Sequence, residues 1–248
     1  MEQSFIFELH EDLPRQGPGS DACTETAFNM IPGLPKDAKI LDIGCGSGMQ
    51  TLALARLCPR CSLVAVDVHQ PYLDDLIRRV ASARCADRIS TLCASMDDLP
   101  FKEGQFDLIW AEGSIFIIGF EQGLSYWKRF LKKGGYIALT EAAWFTDTPS
   151  EEARAFWQEC YPAIKAVAEL EAAVIRAGFQ VIGRFALPAS AWWDDYYLPC
   201  ERKLDALEVR KKDDADAMSL IEMTRTEMAI HRDHHEEYGY VFFVGYYP

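Results

Sequence analysis

Ile40–Gln50, "ILDIGCGSGMQ", places three glycines within five positions directly after a short apolar run. A glycine turn behind a strand lets the backbone approach a ligand closely, and the N-terminus of the next helix adds aligned N–H groups. Dinucleotide sites use G-x-G-x-x-G, whose third glycine permits close helix packing. Here Gly44, Gly46 and Gly48 give G-x-G-x-G, and Met49 stands where the longer motif needs glycine. That spacing argues against a nicotinamide-dependent oxidoreductase, which is kept as an alternative.

Two other clusters carry chemistry by residue type. Cys58 and Cys61 in "CPRC" have the spacing of a redox pair or of half a zinc site, but no second CxxC follows and Pro59-Arg60 reads as a helix end. All eight cysteines are scattered, so free thiols are expected. His231, His234 and His235 in "HRDHHEE" fall at i, i+3, i+4, a metal-capable face if helical. Histidines near a helix end are more often solvated and complement its dipole, so no metal is expected there.

These groups need a scaffold, and 248 residues with 49% hydrophobic content can bury the core of one elaborated domain. The 25 Lys+Arg against 38 Asp+Glu give a formal charge of -13. Such a balance disfavours nucleic acid and anionic membrane partners. "MEQSFIFELHEDLP" lacks a basic segment and a sustained apolar run, and no stretch has the roughly 18 apolar residues of a membrane span. A soluble, cytoplasmic chain is expected.

Residues 38 to 140 alternate β-rich runs with helix-period stretches, the pattern of parallel strands joined by crossover helices. "KILDIG", "SLVAVDV", "RISTLCA", "FDLIWA" and "GYIALTE" are five strands, "FQVIGRFALP" a sixth and "YGYVFFVGYYP" a seventh. After Pro71, the spacing of Leu73, Leu76, Ile77 and Val80 predicts an amphipathic helix whose apolar face covers the sheet. The expected fold is α/β, a doubly wound, seven-stranded, mostly parallel sheet with a helical insertion between strands six and seven. One domain is divided into an N-terminal cap (1–37), a core (38–188), a helical lid insertion (189–237) and a last strand (238–248).

"LDIGCGSG" resembles motif I of the class I S-adenosylmethionine-dependent methyltransferases, whose loop wraps the amino-acid end of the cofactor. Within the family the nearest likeness is to small-molecule enzymes of the ubiquinone/menaquinone-biosynthesis type, best over roughly residues 38–145. The resemblance implies a Rossmann-like methyltransferase fold and methyl transfer from S-adenosyl-L-methionine to a small-molecule acceptor, with S-adenosyl-L-homocysteine as product. It implies that Asp42, Gly44, Cys45, Gly46 and Gly48 form the cradle, that Asp67 with Val68 meets the ribose hydroxyls, and that Ser95 and Met96 of "ASMDDLPF" meet the adenine. Glu112, after "FDLIWA", meets the methionine end or the acceptor.

Transfer from a sulfonium needs alignment and exclusion of water more than a dedicated acid, so no catalytic residue is assigned. Base candidates are Glu112, Glu141 and His69, each at the carboxyl end of a strand. Trp144, Trp193, Tyr196 and Tyr197 are the expected acceptor-lining rings, with Trp192 and Phe145 in the same aromatic set. "RQGPGS" (Arg15–Ser20), ahead of the helix "DACTETAFNM", is placed to close over the same site. Alternatives are a thiol-bound arsenic methyltransferase, suggested by Cys160 and Cys200, and a non-catalytic cofactor-binding protein. A monomer or homodimer is expected.

Overall fold

The computed structural model describes residues 2–83 and 85–248. The chain opens with α1 (Glu2–His10) and α2 (Asp21–Asn29), the latter capped by Ser20, whose hydroxyl accepts from the Cys23 N–H. There follow β1 (Lys39–Ile43), α3 (Met49–Leu57), β2 (Ser62–Asp67), α4 (Gln70–Ser82), β3 (Ile89–Cys93), β4 (Phe106–Ala111), α5 (Phe120–Trp127) and β5 (Leu131–Trp144). Next are α6 (Glu151–Cys160), the two-residue β6 (Lys165–Ala166), α7 (Val167–Arg176) and β7 (Gln180–Ala186). A short α8 (Ser190–Trp192) runs through a π-helical turn (Trp193–Tyr197) into α9 (Leu198–Lys211), then α10 (Ala215–His234) and β8 (Tyr238–Tyr246).

The sheet order is β3-β2-β1-β4-β5-β8-β7, with β6 beside the end of β5. Strands β1 to β5 pair in parallel, whereas β8 lies antiparallel between β5 and β7. This is the doubly wound, mostly parallel sheet expected, with β6 as an addition too short to leave a periodicity.

Strand alternation splits the core in two. Ile40, Leu108 and Trp110 face Leu54 of α3 and Leu73 of α4. Leu41, Ile43 and Ile109 face Leu124 and Trp127 of α5 and Val174 of α7. A third cluster joins Phe5 and Leu9 of α1 to Trp192, Leu204 and Ile221 of the inserted helices. No periodicity marked α1, because its apolar face packs on helices about two hundred residues away in the chain.

Three local expectations need correction. In α4, Ile77 is 49% exposed and Tyr72 takes the buried place, so the apolar face runs through Tyr72, Leu73, Leu76 and Val80. Cys58 and Cys61 are joined as a disulfide, their Cα atoms 5.4 Å apart where α3 ends, so they are not free thiols. His231 is buried rather than solvated, because its ring stacks on Trp192 with centroids 4.4 Å apart; burial pushes its pKa down to about 4.

Candidate active site

The parallel strands β1, β2 and β4 end at one edge, and a cavity of about 770 Å³ opens there. Its floor is the turn after β1. The N–H groups of Gly44 and Cys45 both donate to the Val66 carbonyl, at 2.8 and 2.9 Å, tying the turn to β2. Gly44 has φ +70 and Gly46 φ +52, in the left-handed region that glycine enters without strain. A Cβ on Gly44 would stand 2.4 Å from Cβ of Ser114, and one on Gly46 2.3 Å from Oε1 of Gln16.

Asp67, at the end of β2, lines the cavity and braces this floor. Its Oδ2 accepts from the Gly46 N–H at 2.9 Å and its Oδ1 from the His69 N–H at 2.9 Å. Each oxygen keeps a further lone pair for a ligand donor. Burial raises its pKa, and the backbone donors oppose that. Asp42 does not reach the cavity: fully buried, it accepts from the Thr51 hydroxyl and the Gln50 amide, pinning α3 to β1. Burial pushes its pKa up to about 7. Gly48 is also outside the lining; it starts α3, where a Cβ would strike Leu76 at 2.2 Å.

Beside the floor, Glu112 accepts from Trp110 Nε1 at 2.8 Å, the Thr24 hydroxyl at 2.7 Å and Arg15 at 3.3 Å. Arg15 and Glu112 are each only 4% exposed. Arg15 also reaches Asp21 at 3.1 Å, while its Nε has no partner. The segment around them crosses the glycine turn: Gln16 Oε1 accepts from the Ser47 N–H at 2.7 Å, and the Pro14 carbonyl accepts from the Ser47 hydroxyl and Arg79.

Cys45, Val68, Ser95, Met96 and Glu112 all line the cavity. Burial holds the Cys45 thiol well above its ordinary range, which suits a space-filling group better than a nucleophile. The Met96 carbonyl already accepts from Trp127 Nε1 at 2.9 Å, and Ser95 bonds Asp97.

Of the expected acceptor-lining rings, Tyr196 reaches the cavity and Trp144, Trp193 and Tyr197 do not. Trp192, the last residue of α8, and Tyr196 of the π-helical turn fall on one stripe and face inward, so their neighbours Trp193 and Tyr197 turn toward α10. Trp193 donates to His231 Nδ1 at 3.1 Å, and the Tyr197 hydroxyl donates to Glu227 at 2.8 Å. Trp144 packs on Tyr238, with centroids 6.0 Å apart. The wall is completed by Tyr161, Tyr240 and Glu227, which the sequence did not single out because they come from separate elements. Arg15 was missed as a residue, although its segment was flagged.

His69 is outside the lining; its ring stacks on Phe7 at 3.9 Å. Glu141 lies behind the wall, 2% exposed, with Oε1 accepting from the Ala142 N–H and Oε2 unpaired. Burial pushes its pKa up to about 7. Cys160 lines the cavity, whereas Cys200 is buried in the third core cluster. Among the described residues no group of three His, Cys, Asp or Glu is arranged to hold a metal ion, and no helix is long and apolar enough to cross a membrane.

The glycine turn after β1, the acid ending β2 and this sheet order together define the Rossmann-like methyltransferase fold. Residues 40–135 match the methyltransferase domain family. Over 108 residues the chain is 34% identical to the demethylmenaquinone methyltransferase of Symbiobacterium thermophilum, covering 42% of each. It thus spans less than half the length of such curated relatives. Among solved structures it is similar to an S-adenosylmethionine-dependent methyltransferase from Geobacter sulfurreducens in complex with S-adenosyl-L-homocysteine. That TM-score is 0.82 at 19% identity, covering 98% of this chain and 97% of that one. The cyclase SpnF is also similar, with TM-score 0.72 at 19% identity, covering 92% of this chain and 80% of that one.

Proposed function

We propose that this protein binds S-adenosyl-L-methionine in the cavity and transfers its methyl group to a small-molecule acceptor, with S-adenosyl-L-homocysteine as product. The reading places it in the cytoplasm as a monomer or homodimer. The observation that carries it is the joined pair of glycine floor and Asp67, a backbone cradle with a half-buried carboxylate at its rim. The donor set fits the cofactor. Arg15, with an unpaired buried Nε, and Glu112, a carboxylate beside it, match the carboxylate and ammonium of a zwitterionic amino-acid end. Asp67 has lone pairs for two ribose hydroxyls, and the Ser95–Asp97 segment lines the side where a base would lie.

When bound, the cofactor supplies a methyl group on a positively charged sulfur with a neutral leaving group. The chain's own contribution is placement. Gly44 and Gly46 let the floor approach, Gln16 and Pro14 hold the covering segment down, and Trp192 and Tyr196 shield the far wall from water. The covering segment and the inserted helices serve in this reading as cap and lid.

The test is calorimetric titration with S-adenosyl-L-homocysteine, followed by a screen for its release from S-adenosyl-L-methionine against amines, phenols, carboxylates and thiols. Similarity to a cyclase supports a second reading, cofactor binding without methyl loss, which the screen separates by the absence of released product in every arm.

A further inference from the structure

At the end of the cavity away from the glycine turn, Glu227 of α10 faces an aromatic chamber. One of its oxygens accepts from the Tyr197 hydroxyl at 2.8 Å. Among the groups whose titration its charge shifts are the phenols of Tyr196, Tyr197, Tyr238 and Tyr240 and the thiols of Cys160 and Cys200. Arg15 lines the opposite end and is already shared by Glu112 and Asp21. His10 lines the chamber too, but its ring nitrogens are taken up by the Ile6 carbonyl and the Tyr196 hydroxyl, and burial lowers its pKa.

Behind this chamber Glu141 and Tyr238 lie outside the lining, next to Tyr161 and Trp157 respectively, so they take no part in setting the charge of a ligand held there. The chamber walls set that charge. Trp192, Tyr196, Tyr161 and Tyr240 present π-systems and hydroxyls around an uncompensated carboxylate. An anionic group would meet Glu227 without a counter-charge, whereas an ammonium gains a charge-assisted hydrogen bond and aromatic faces.

Resting on the methyltransferase reading, we infer that the acceptor is an amine, held as an ammonium by Glu227 within the Trp192, Tyr196 and Tyr240 rings. For transfer, the ammonium gives one proton to the Glu227 carboxylate. The freed nitrogen pair forms the N–C bond as the C–S bond breaks, and its electrons stay on sulfur. The positive charge lost by the sulfonium reappears on the methylated nitrogen. Burial raises the pKa of Glu227, which suits a group that must accept that proton.

The experiment titrates the intact protein, saturated with S-adenosyl-L-homocysteine, with three probes of one shape: 2-phenylethylammonium, 2-phenylethanol and 3-phenylpropanoate. Calorimetry and quenching of tryptophan emission are the readouts. The expected order is ammonium tightest, the alcohol about tenfold weaker and the carboxylate weakest. Glu227→Gln, which keeps an oxygen for Tyr197, should erase the ammonium preference and leave S-adenosyl-L-homocysteine affinity unchanged. Equal or tighter binding of the alcohol or carboxylate, an unchanged preference in Glu227→Gln, or no binding of any probe would overturn the proposal. Failure of S-adenosyl-L-homocysteine to bind would overturn the methyltransferase reading instead, and the same three probes on the free protein would still report the charge preference of the chamber.

Discussion

The two ends of the cavity are built by different means. The floor by β1 and β2 is mostly backbone, its N–H groups assigned to the Val66 carbonyl and Asp67 within one short stretch of chain. The far chamber is mostly side chains, drawn from α6, α8, the π-helical turn, α10 and β8. A surface made of backbone is specified by chain order and tolerates little change. One made of converging side chains can be re-cut for a new ligand while the sheet stays as it is.

The sharpest way to break that contrast is at Arg15, where floor and covering segment meet. Arg15→Ala should lower stability by about 3 kcal/mol by leaving Glu112 buried without its cation, and Arg15→Met with Glu112→Gln should recover much of it. Denaturant unfolding of the single and paired variants measures both. On the proposed reading, Asp67→Ala should weaken S-adenosyl-L-methionine binding about a hundredfold by removing the acceptors assigned to the ribose and the brace of the Gly46 N–H. Calorimetry that finds unchanged affinity rejects the ribose assignment.

Glu141 sharpens the comparison through pH. Burial lifts its folded pKa to about 7, above the ordinary carboxyl value of 4.5. Its protonated form is therefore favoured in the fold: the benefit is complete below pH 4.5 and lost as pH rises through about 7. Glu141→Gln should leave the midpoint of thermal unfolding nearly unchanged at pH 4.5 and raise it at pH 8, by about 2 kcal/mol in stability. Melting curves at the two pH values decide it. The smallest effect is expected at Trp193, which lies outside the cavity. Trp193→Phe loses the bond to His231 and should cost about 1 kcal/mol, with cofactor affinity within about twofold of the parent.

What the sequence disclosed follows the same division. "LDIGCGSG" and Asp67 were legible because a turn and the next strand end are close in the chain and glycine at positive φ has few substitutes. Tyr161, Tyr240 and Glu227 were not, since each is an ordinary residue of its own element and only the fold brings the three together. The aromatic run "AWWDDYY" announced rings but not their direction: the junction of α8 with the π-helical turn decides that Trp192 and Tyr196 face inward while Trp193 and Tyr197 face α10. Ile77 was misplaced by a periodicity that Tyr72 satisfies as well, a phenol being apolar enough to bury. The "CPRC" pair was weighed as a redox pair, but the scatter of the cysteines favoured free thiols, and the Cys58–Cys61 bond overturns that expectation.

Strand β8 pairs on one side with β5 and on the other with β7. Both neighbours precede β8 in the chain, β7 by about fifty residues, so they are synthesised before residues 238–246. Until then this half of the sheet offers two unpaired edges, a template for joining another nascent chain. The inserted helices that build the chamber are thus also a delay line, holding open a gap that only the last strand closes.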